Sequence, residues 1–179
     1  VSTVQSSLGR PWGVVQDRNG NTYVAAHNDQ VIYQIDTSGN KTVFAGAVND
    51  YENNSHVSDP QPQTLARFRH PKSMTIDTSG SKDIIYLIDD RAIKKIVIDP
   101  DGTDYVYYIT GNNFGNWQNS FTNGEFDEAI FGHIQDITIS NDGTALYVLD
   151  QNAIRKISDL SGAGLVETIS GQWDWDYRE

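Results

Sequence analysis

The sequence predicts an all-β fold assembled from repeated four-stranded antiparallel sheets. Three observations support this. A segment of about 60 residues recurs three times. Short runs rich in Val, Ile, Tyr and Thr alternate with turns that contain glycine or asparagine, and no segment shows a sustained helical period. The chain has 179 residues, which suits one domain or part of a modular one.

The register of the repeat is set by a motif whose last isoleucine lies at positions 35, 96 and 157, at an interval of 61 residues. Turns centred on Asn19-Gly20, Ser79-Gly80 and Asp142-Gly143 separate the strands, because Gly, Asn and Asp tolerate positive φ. The predicted strands are 13–16, 22–25, 31–36 and 41–45, then 73–77, 84–88, 92–98 and 105–110, then 135–139, 145–149, 153–158 and 165–170.

Four antiparallel strands per repeat are typical of the blades of a β-propeller. A lone blade has two faces to cover, so each blade depends on its neighbours. We expect residues 1–179 to form a single propeller portion. Its blades would lie at about 8–46, 66–111 and 129–171, with long links at 47–65 and 112–128. Phe68 and Phe131 follow the links, and we expect them to wedge between blades.

The second repeat shows the full pattern in Phe68, Pro71, Asp77, Gly80, Tyr86, Asp89 and the strand from Ile93 to Ile96. With these residues the repeats resemble NHL repeats of the longer kind. Such propellers usually have about six blades, so the resemblance implies half of a six-bladed ring. Three positions depart from the pattern, namely Ile134 in place of Pro, Ser140 in place of Asp, and His27 near an expected Asp, so one shared catalytic motif is not expected.

Three blades alone would expose large apolar side chains on two end faces. We expect either a second copy, joined head to tail to complete six blades, or the remaining blades of a longer chain. A link formed by the two chain ends would be similar in length to the internal links.

The amino-acid composition of the chain excludes several kinds of functional site. A net charge of −11 argues against nucleic-acid binding, since a phosphate backbone would be repelled. The chain has no Cys, which excludes disulfides, thiolate metal sites and Cys nucleophiles, and no apolar run long enough to span a membrane. We expect a secreted or extracytoplasmic location, with which the high Asn, Ser and Thr content is compatible.

Candidate binding residues lie in the turns near 26–30, 89–91 and 150–152, which should share one rim of the blades. The acidic side chains among them could bind Ca²⁺ or a polar ligand, or could cap turns. A run of alternating Trp and Asp near the C-terminus could stack on a sugar or a basic peptide. The candidates are His27, Asp89, Asp90, Arg91, Asp150, Gln151, Trp173 and Trp175.

The function predicted from these features is a non-catalytic binding or assembly module that recognises a protein, peptide or glycan through its rim loops. Two alternatives stay open. One is a metal-dependent propeller enzyme, a lyase or a lactone-type hydrolase, which the resemblance implies. The other is a structural subunit of an extracellular assembly. No cofactor is expected, except that convergent His and acidic side chains would favour Zn²⁺ or Ca²⁺. His70 and His133 occupy equivalent positions, with Arg10 as the third.

Overall fold

A computed structural model describes residues 8–50, 60–111 and 121–172 of the chain. These residues form three antiparallel sheets, and none of them is helical. No helix among them could therefore cross a membrane. The predicted all-β class is confirmed. The candidate residues Trp173 and Trp175 lie outside the described ranges, as do parts of both long links.

Each sheet corresponds to one repeat, which we call blades 1 to 3, and its four main strands follow one another in space as they do in sequence. Blade 1 contains β1 (Pro11–Gln16), β2 (Thr22–Ala26), β3 (Val31–Ile35) and β4 (Lys41–Gly46). Blade 2 contains β5 (Gln61–Pro62), β6 (Pro71–Asp77), β7 (Asp83–Asp89), β8 (Ala92–Ile98) and β9 (Tyr105–Gly111). Blade 3 contains β10 (Gly124–Glu125), β11 (Ile134–Ile139), β12 (Ala145–Asp150), β13 (Ala153–Ser158) and β14 (Leu165–Gly171).

Blades 2 and 3 each have a fifth strand that the sequence did not predict. The link before each blade ends in a two-residue strand, β5 or β10, which pairs with the outer strand β9 or β14. This pairing covers the edge of the sheet that would otherwise present free backbone groups. Pro62 suits such a position because proline cannot donate a hydrogen bond to a further strand.

Short polar motifs close the turns between strands. In blade 1 the Asp17 carboxylate accepts the backbone N–H groups of Asn19 and Asn21 at 2.9 and 2.8 Å. In blade 3 the hydroxyl of Ser140 accepts the N–H groups of Thr144 and Ala145 at 3.2 and 3.0 Å. The departure at Ser140 from the resembled pattern therefore keeps the same turn-closing function.

The blades stack in chain order, with their first strands β1, β6 and β11 side by side. Phe68 is buried in an apolar cluster shared by blades 1 and 2, and Phe131 is buried in the cluster shared by blades 2 and 3. Both are wedges between blades, as the sequence predicted. Because each cluster takes side chains from two blades, the core lies between the sheets rather than within one of them.

Candidate binding site on the rim

One rim of the blades is built by a backbone contact that recurs in all three. The first residue after the second strand donates its N–H to the carbonyl just before the first strand. The donor and acceptor are His27 and Arg10 in blade 1, at 3.2 Å, and Asp90 and His70 in blade 2, also at 3.2 Å. In blade 3 they are Gln151 and His133, at 3.0 Å. The contact ties the turn after the second strand to the entry of each blade, and so fixes the rim.

Three rings stack on this rim across the junction between blades 1 and 2. The Trp12 and His27 rings lie 5.0 Å apart between centroids, with 26° between their planes. The His27 and His70 rings lie 4.8 Å apart, with 21° between their planes. We call Trp12, His27 and His70 the rim column. Trp12 remains 48% exposed, so a large aromatic surface faces solvent at its end.

Cationic side chains surround the rim column. The Arg10 guanidinium lies 4.8 Å from the centroid of the Trp12 ring, and the Lys72 ammonium lies 5.8 Å from it. Arg69 is 3.5 Å from the carboxylate of Asp90, and both side chains are substantially exposed. Three cations therefore accompany one anion, in a chain whose net charge is −11. The local charge has the opposite sign to that of the whole chain.

Burial lowers the pKa of His70, and the neighbouring His27 and Arg69 lower it further. The Asp90 carboxylate, 3.9 Å from its ring, acts in the opposite direction. The net direction is downward, so the His70 imidazole is neutral at physiological pH. A neutral imidazole can both donate and accept a hydrogen bond, and it can stack on His27 without charge repulsion.

Asp89 and Asp150 lie below the rim surface, where they make internal contacts. Asp89 is 2% exposed, accepts the N–H groups of Arg69 and His70 at 2.8 and 2.7 Å, and pairs with Lys94 at 2.6 Å. Asp150 is fully buried and pairs with Arg155 at 3.1 Å. These carboxylates hold the entries of blades 2 and 3 in place.

The other described candidates lie in the rim turns. Asp90 adopts a φ of 60° and borders the rim column, and Arg91 is the next residue of the same turn. Gln151 occupies the corresponding turn of blade 3, away from the column, with a φ of 57°. Of the candidates, His27 and Asp90 are thus brought together around one site, while Asp150 and Gln151 belong to another blade.

Trp12, Arg10 and Lys72 are not among the ligand residues predicted from the sequence. A signal was present in the repeat itself. Trp12 follows the proline at the start of the first strand, where blade 2 has Lys72 and blade 3 has Gln135. The three blades carry chemically different residues at this position, so the fold does not require one residue type there.

Metal binding at this rim would need convergent ligand atoms. Within residues 8–50, 60–111 and 121–172, no three His, Asp or Glu side chains are arranged to hold a metal ion. His27 and His70 stack nearly face to face. Ring nitrogens carry their lone pairs in the ring plane, so the lone pairs of two stacked rings lie in two separate, nearly parallel planes rather than converging on one point.

A cavity of about 580 Å³ opens between blades 1 and 2 at the opposite end of the strands. Its walls are tied together by Arg18, which donates to the Asp83 carboxylate at 2.6 Å and to the Gly80 carbonyl at 2.7 Å. A second ion pair, between Lys82 and Asp99, lies on the same wall. Arg18 thus joins the two blades across the cavity, whereas the Lys82–Asp99 pair lies within blade 2.

No protein-family model matches the sequence, and no curated protein matches it. Solved structures do match. A structural genomics protein of unknown function from Bacteroides thetaiotaomicron VPI-5482 superposes with a TM-score of 0.64 at 24% identity, over 91% of this chain and 37% of that one. An auxiliary nutrient binding protein from the same organism gives a TM-score of 0.59 at 16% identity, over 95% and 40%.

A third match is a catalytically inactive H270A virginiamycin B lyase from Staphylococcus aureus in complex with quinupristin. It has a TM-score of 0.52 and 15% identity, over 90% of this chain and 42% of the lyase. The chain thus spans about two fifths of the length of each of these proteins. At these identities the likeness concerns the fold alone. The chain is a partial β-propeller of three blades.

Proposed function

We propose that the chain is a non-catalytic binding module of the NHL propeller type, and that it recognises an acidic glycan through the rim column and its cations. The observation that carries this proposal is the exposed Trp12 ring, stacked on His27 and flanked by Arg10 and Lys72. The repeat pattern described above supports the NHL assignment.

The chemistry of the column favours an acidic carbohydrate. An aromatic ring offers apolar area to a sugar face at a low entropic cost, because it has few rotatable bonds. Arg and Lys side chains bind carboxylate or sulfate groups by charge-assisted hydrogen bonds. The neutral His70 imidazole adds one donor and one acceptor for hydroxyl groups. These three features together suit a ligand that combines hydroxyls, a flat apolar face and negative charge.

Two of the fold neighbours carry names that describe ligand binding, a nutrient binding protein and a lyase in complex with quinupristin. The first agrees with a binding role, and the second is an enzyme, so the fold serves both kinds of protein. We base the choice of ligand on the side chains of the rim alone.

Titration calorimetry with trigalacturonate, and with the uncharged maltotriose, tests the proposal. We expect trigalacturonate to bind and maltotriose to bind much more weakly. We expect Trp12→Ala to weaken trigalacturonate binding about tenfold or more, which corresponds to about 1.4 kcal/mol. Added salt should weaken it as well, because Arg10 is exposed and Lys72 is half-buried, so both are open to screening by ions.

Tyr105→Ala is the matched control, since Tyr105 is another exposed aromatic at the far end of blade 2. It should bind like the wild type. Equal affinity for the neutral and the acidic sugar, or unchanged affinity in Trp12→Ala, would contradict the proposal. Tighter binding of a poly-glutamate peptide than of trigalacturonate would assign the site to acidic peptides instead.

A further inference from the structure

The two junctions between blades differ at the end of the strands opposite the rim. Between blades 1 and 2 this end holds the cavity of about 580 Å³. Between blades 2 and 3, Phe126 packs against the apolar cluster that these two blades share. Its ring lies so close to Gly164 that a Cβ atom on that glycine would meet the ring at 1.9 Å. An aromatic ring seated on a glycine therefore occupies the second junction.

Polar residues replace that ring and that glycine beside the cavity. Gln63 directly follows the short strand β5, as Phe126 follows β10. Asp104 directly precedes β9, as Gly164 precedes β14. Both Gln63 and Asp104 line the cavity. The first junction thus has an amide and a carboxylate where the second has an aromatic ring.

A lysine enters the second junction at a position where the first has a neutral residue. Lys95 pairs with Tyr86 across strands β7 and β8, and Gln34 pairs with Tyr23 at the same position of blade 1. The Lys95 ammonium crosses to blade 3, where it donates to the Leu160 carbonyl at 3.2 Å. The Gln34 amide stays within its own blade and donates to the Tyr23 hydroxyl at 2.9 Å. Gln34 therefore lines the cavity without supplying a charge.

Acidic side chains outnumber cationic ones in the lining of the cavity. The charged lining residues are Arg18, Lys82, Asp17, Asp83, Asp99 and Asp104. Arg18 pairs with Asp83 at 2.6 Å. Lys82 pairs with Asp99. The other two carboxylates form no ion pair with a described residue, so the lining carries an excess of negative charge.

Asp104 and Gln63 offer acceptors to a ligand, whereas Asp17 is engaged by its own turn. One Asp104 oxygen accepts the N–H of Asp99 at 2.7 Å. Burial raises the pKa of Asp104 and the charge of Asp99 raises it further, so an added cation would stabilise its ionised form. The side-chain oxygen of Gln63 is buried without a hydrogen-bond partner in the described part of the chain. Because the Gln63 N–H donates to the Asp104 carbonyl at 3.0 Å, the two residues are neighbours.

We propose that this cavity binds an arylalkylamine, a small molecule that carries an ammonium group on an aromatic body. Its ring takes the place that Phe126 fills in the second junction, and its ammonium takes the place of Lys95 and binds Asp104. The volume of the cavity is in the range of small-molecule sites, and Val43 and Phe44 add apolar lining. The site is separate from the rim column and prefers the opposite charge, so the proposal does not depend on the acidic glycan.

Titration calorimetry with phenethylamine tests the proposal, with phenethyl alcohol as the neutral counterpart and phenylacetate as the anionic one. We expect phenethylamine to bind in an equal molar ratio to the chain. The alcohol and the anion should bind about tenfold more weakly or worse, because only the ammonium can pair with the carboxylate. No binding of phenethylamine, or equal binding of the alcohol, would overturn the proposal.

Two variants locate the site. Asp104→Asn keeps an oxygen that can accept the Asp99 N–H but removes the charge, and it should weaken phenethylamine binding about tenfold. Gln34→Lys places an ammonium where the second junction has Lys95, and it should abolish the binding. Circular dichroism shows whether each variant is folded, and Asp104→Asn alone decides the outcome if Gln34→Lys is not. Wild-type affinity in a folded variant would contradict the site.

Asp101→Asn is the matched control, since Asp101 is exposed in the same turn as Asp104 and does not line the cavity. It loses the same charge and should bind phenethylamine like the wild type. Added trigalacturonate should not displace phenethylamine, and Asp104→Asn should bind trigalacturonate like the wild type. Displacement would place the amine at the rim column and overturn the proposal.

Discussion

Lys94 donates to the Asp89 carboxylate at 2.6 Å beneath the ring of Phe68, and both charged side chains are almost completely buried. Blade 3 has the same arrangement in Arg155 and Asp150, with the guanidinium 5.0 Å from the centroid of the Phe131 ring. Blade 1 has Ala26 and Tyr33 at the equivalent positions, both buried. The same sheet therefore accepts either an ion pair or an uncharged pair at this position. Blade 1 shows which uncharged residues can replace the ion pair of blade 2.

Removing only one member of the pair should be costly. We expect Asp89→Ala to lower the free energy of unfolding by about 3–5 kcal/mol, because it leaves the Lys94 charge buried without a partner. The double variant Asp89→Ala/Lys94→Tyr reproduces blade 1 and should lose clearly less. Urea unfolding of the two variants measures the difference. A double variant as unstable as the single one would show that backbone capping by Asp89, rather than the buried charge, dominates.

The wedge residues should contribute more than any exposed apolar side chain. Phe131→Ala removes a fully buried ring from the junction of blades 2 and 3, and we expect a loss of about 3–5 kcal/mol in the free energy of unfolding. Leu65→Ala is a control at an exposed site, where the change should stay within about 0.5 kcal/mol. Similar losses in both variants would argue against a core located between the blades.

The turn of blade 3 should give the chain a measurable acid sensitivity. Hydrogen bonds from Ser140 and Thr144 lower the pKa of Asp142 to about 2. A carboxyl group whose pKa is lower in the folded state stabilises the fold above its unfolded pKa, and this contribution disappears as the pH falls through the folded value.

Comparing the melting temperatures of the wild type and Asp142→Ala between about pH 5 and pH 2 measures this contribution. We expect the wild type to melt higher at pH 5 and the difference to shrink toward pH 2. A difference that stays constant over this range would mean that the hydrogen bonds do not depend on the ionised carboxylate.

Asp90 should control the protonation of the rim column. Burial lowers the pKa of His70, and Asp90 is the largest influence that raises it. We therefore expect Asp90→Asn to lower the pKa of His70 further, as measured from the imidazole signals in NMR titrations. Asparagine tolerates the positive φ of this position, so the turn should be kept.

The direction of this shift also predicts how stability depends on pH. A histidine with a lowered pKa favours the fold in its neutral form. The stabilisation is complete above its unfolded pKa, near 6.5, and is lost as the pH falls through that value toward the folded one. A rise in the pKa of His70 in Asp90→Asn would contradict the electrostatic account of the column.

The strands could be predicted from the sequence because each of them recurs in all three repeats. One alignment of the three repeats follows from Ile35, Ile96 and Ile157. The main strands begin and end within two residues of the predicted bounds. The fifth strands β5 and β10 could not be predicted in this way. They are two residues long and their partners are distant in the chain, so no local pattern distinguishes them from the link.

The rim was harder to predict than the strands. Asp89 and Asp150 are predicted ligand residues because acidic residues at turns can bind ligands. Their burial depends on Lys94 and Arg155, which lie on the next strand and reach back across the turn. The stacking of Trp12, His27 and His70 joins two blades, and the sequence alone does not specify how far those blades are rotated relative to one another.

The most direct test of the recognition site uses the imidazole NMR signals during titration with trigalacturonate. His133 occupies in blade 3 the position that His70 occupies in blade 2, so it serves as an internal reference. We predict that the signals of His27 and His70 shift on binding while that of His133 does not, and that Trp12→Ala abolishes the shifts. Unchanged His27 and His70 signals in the presence of a bound ligand would contradict the assignment of the rim column as the binding site.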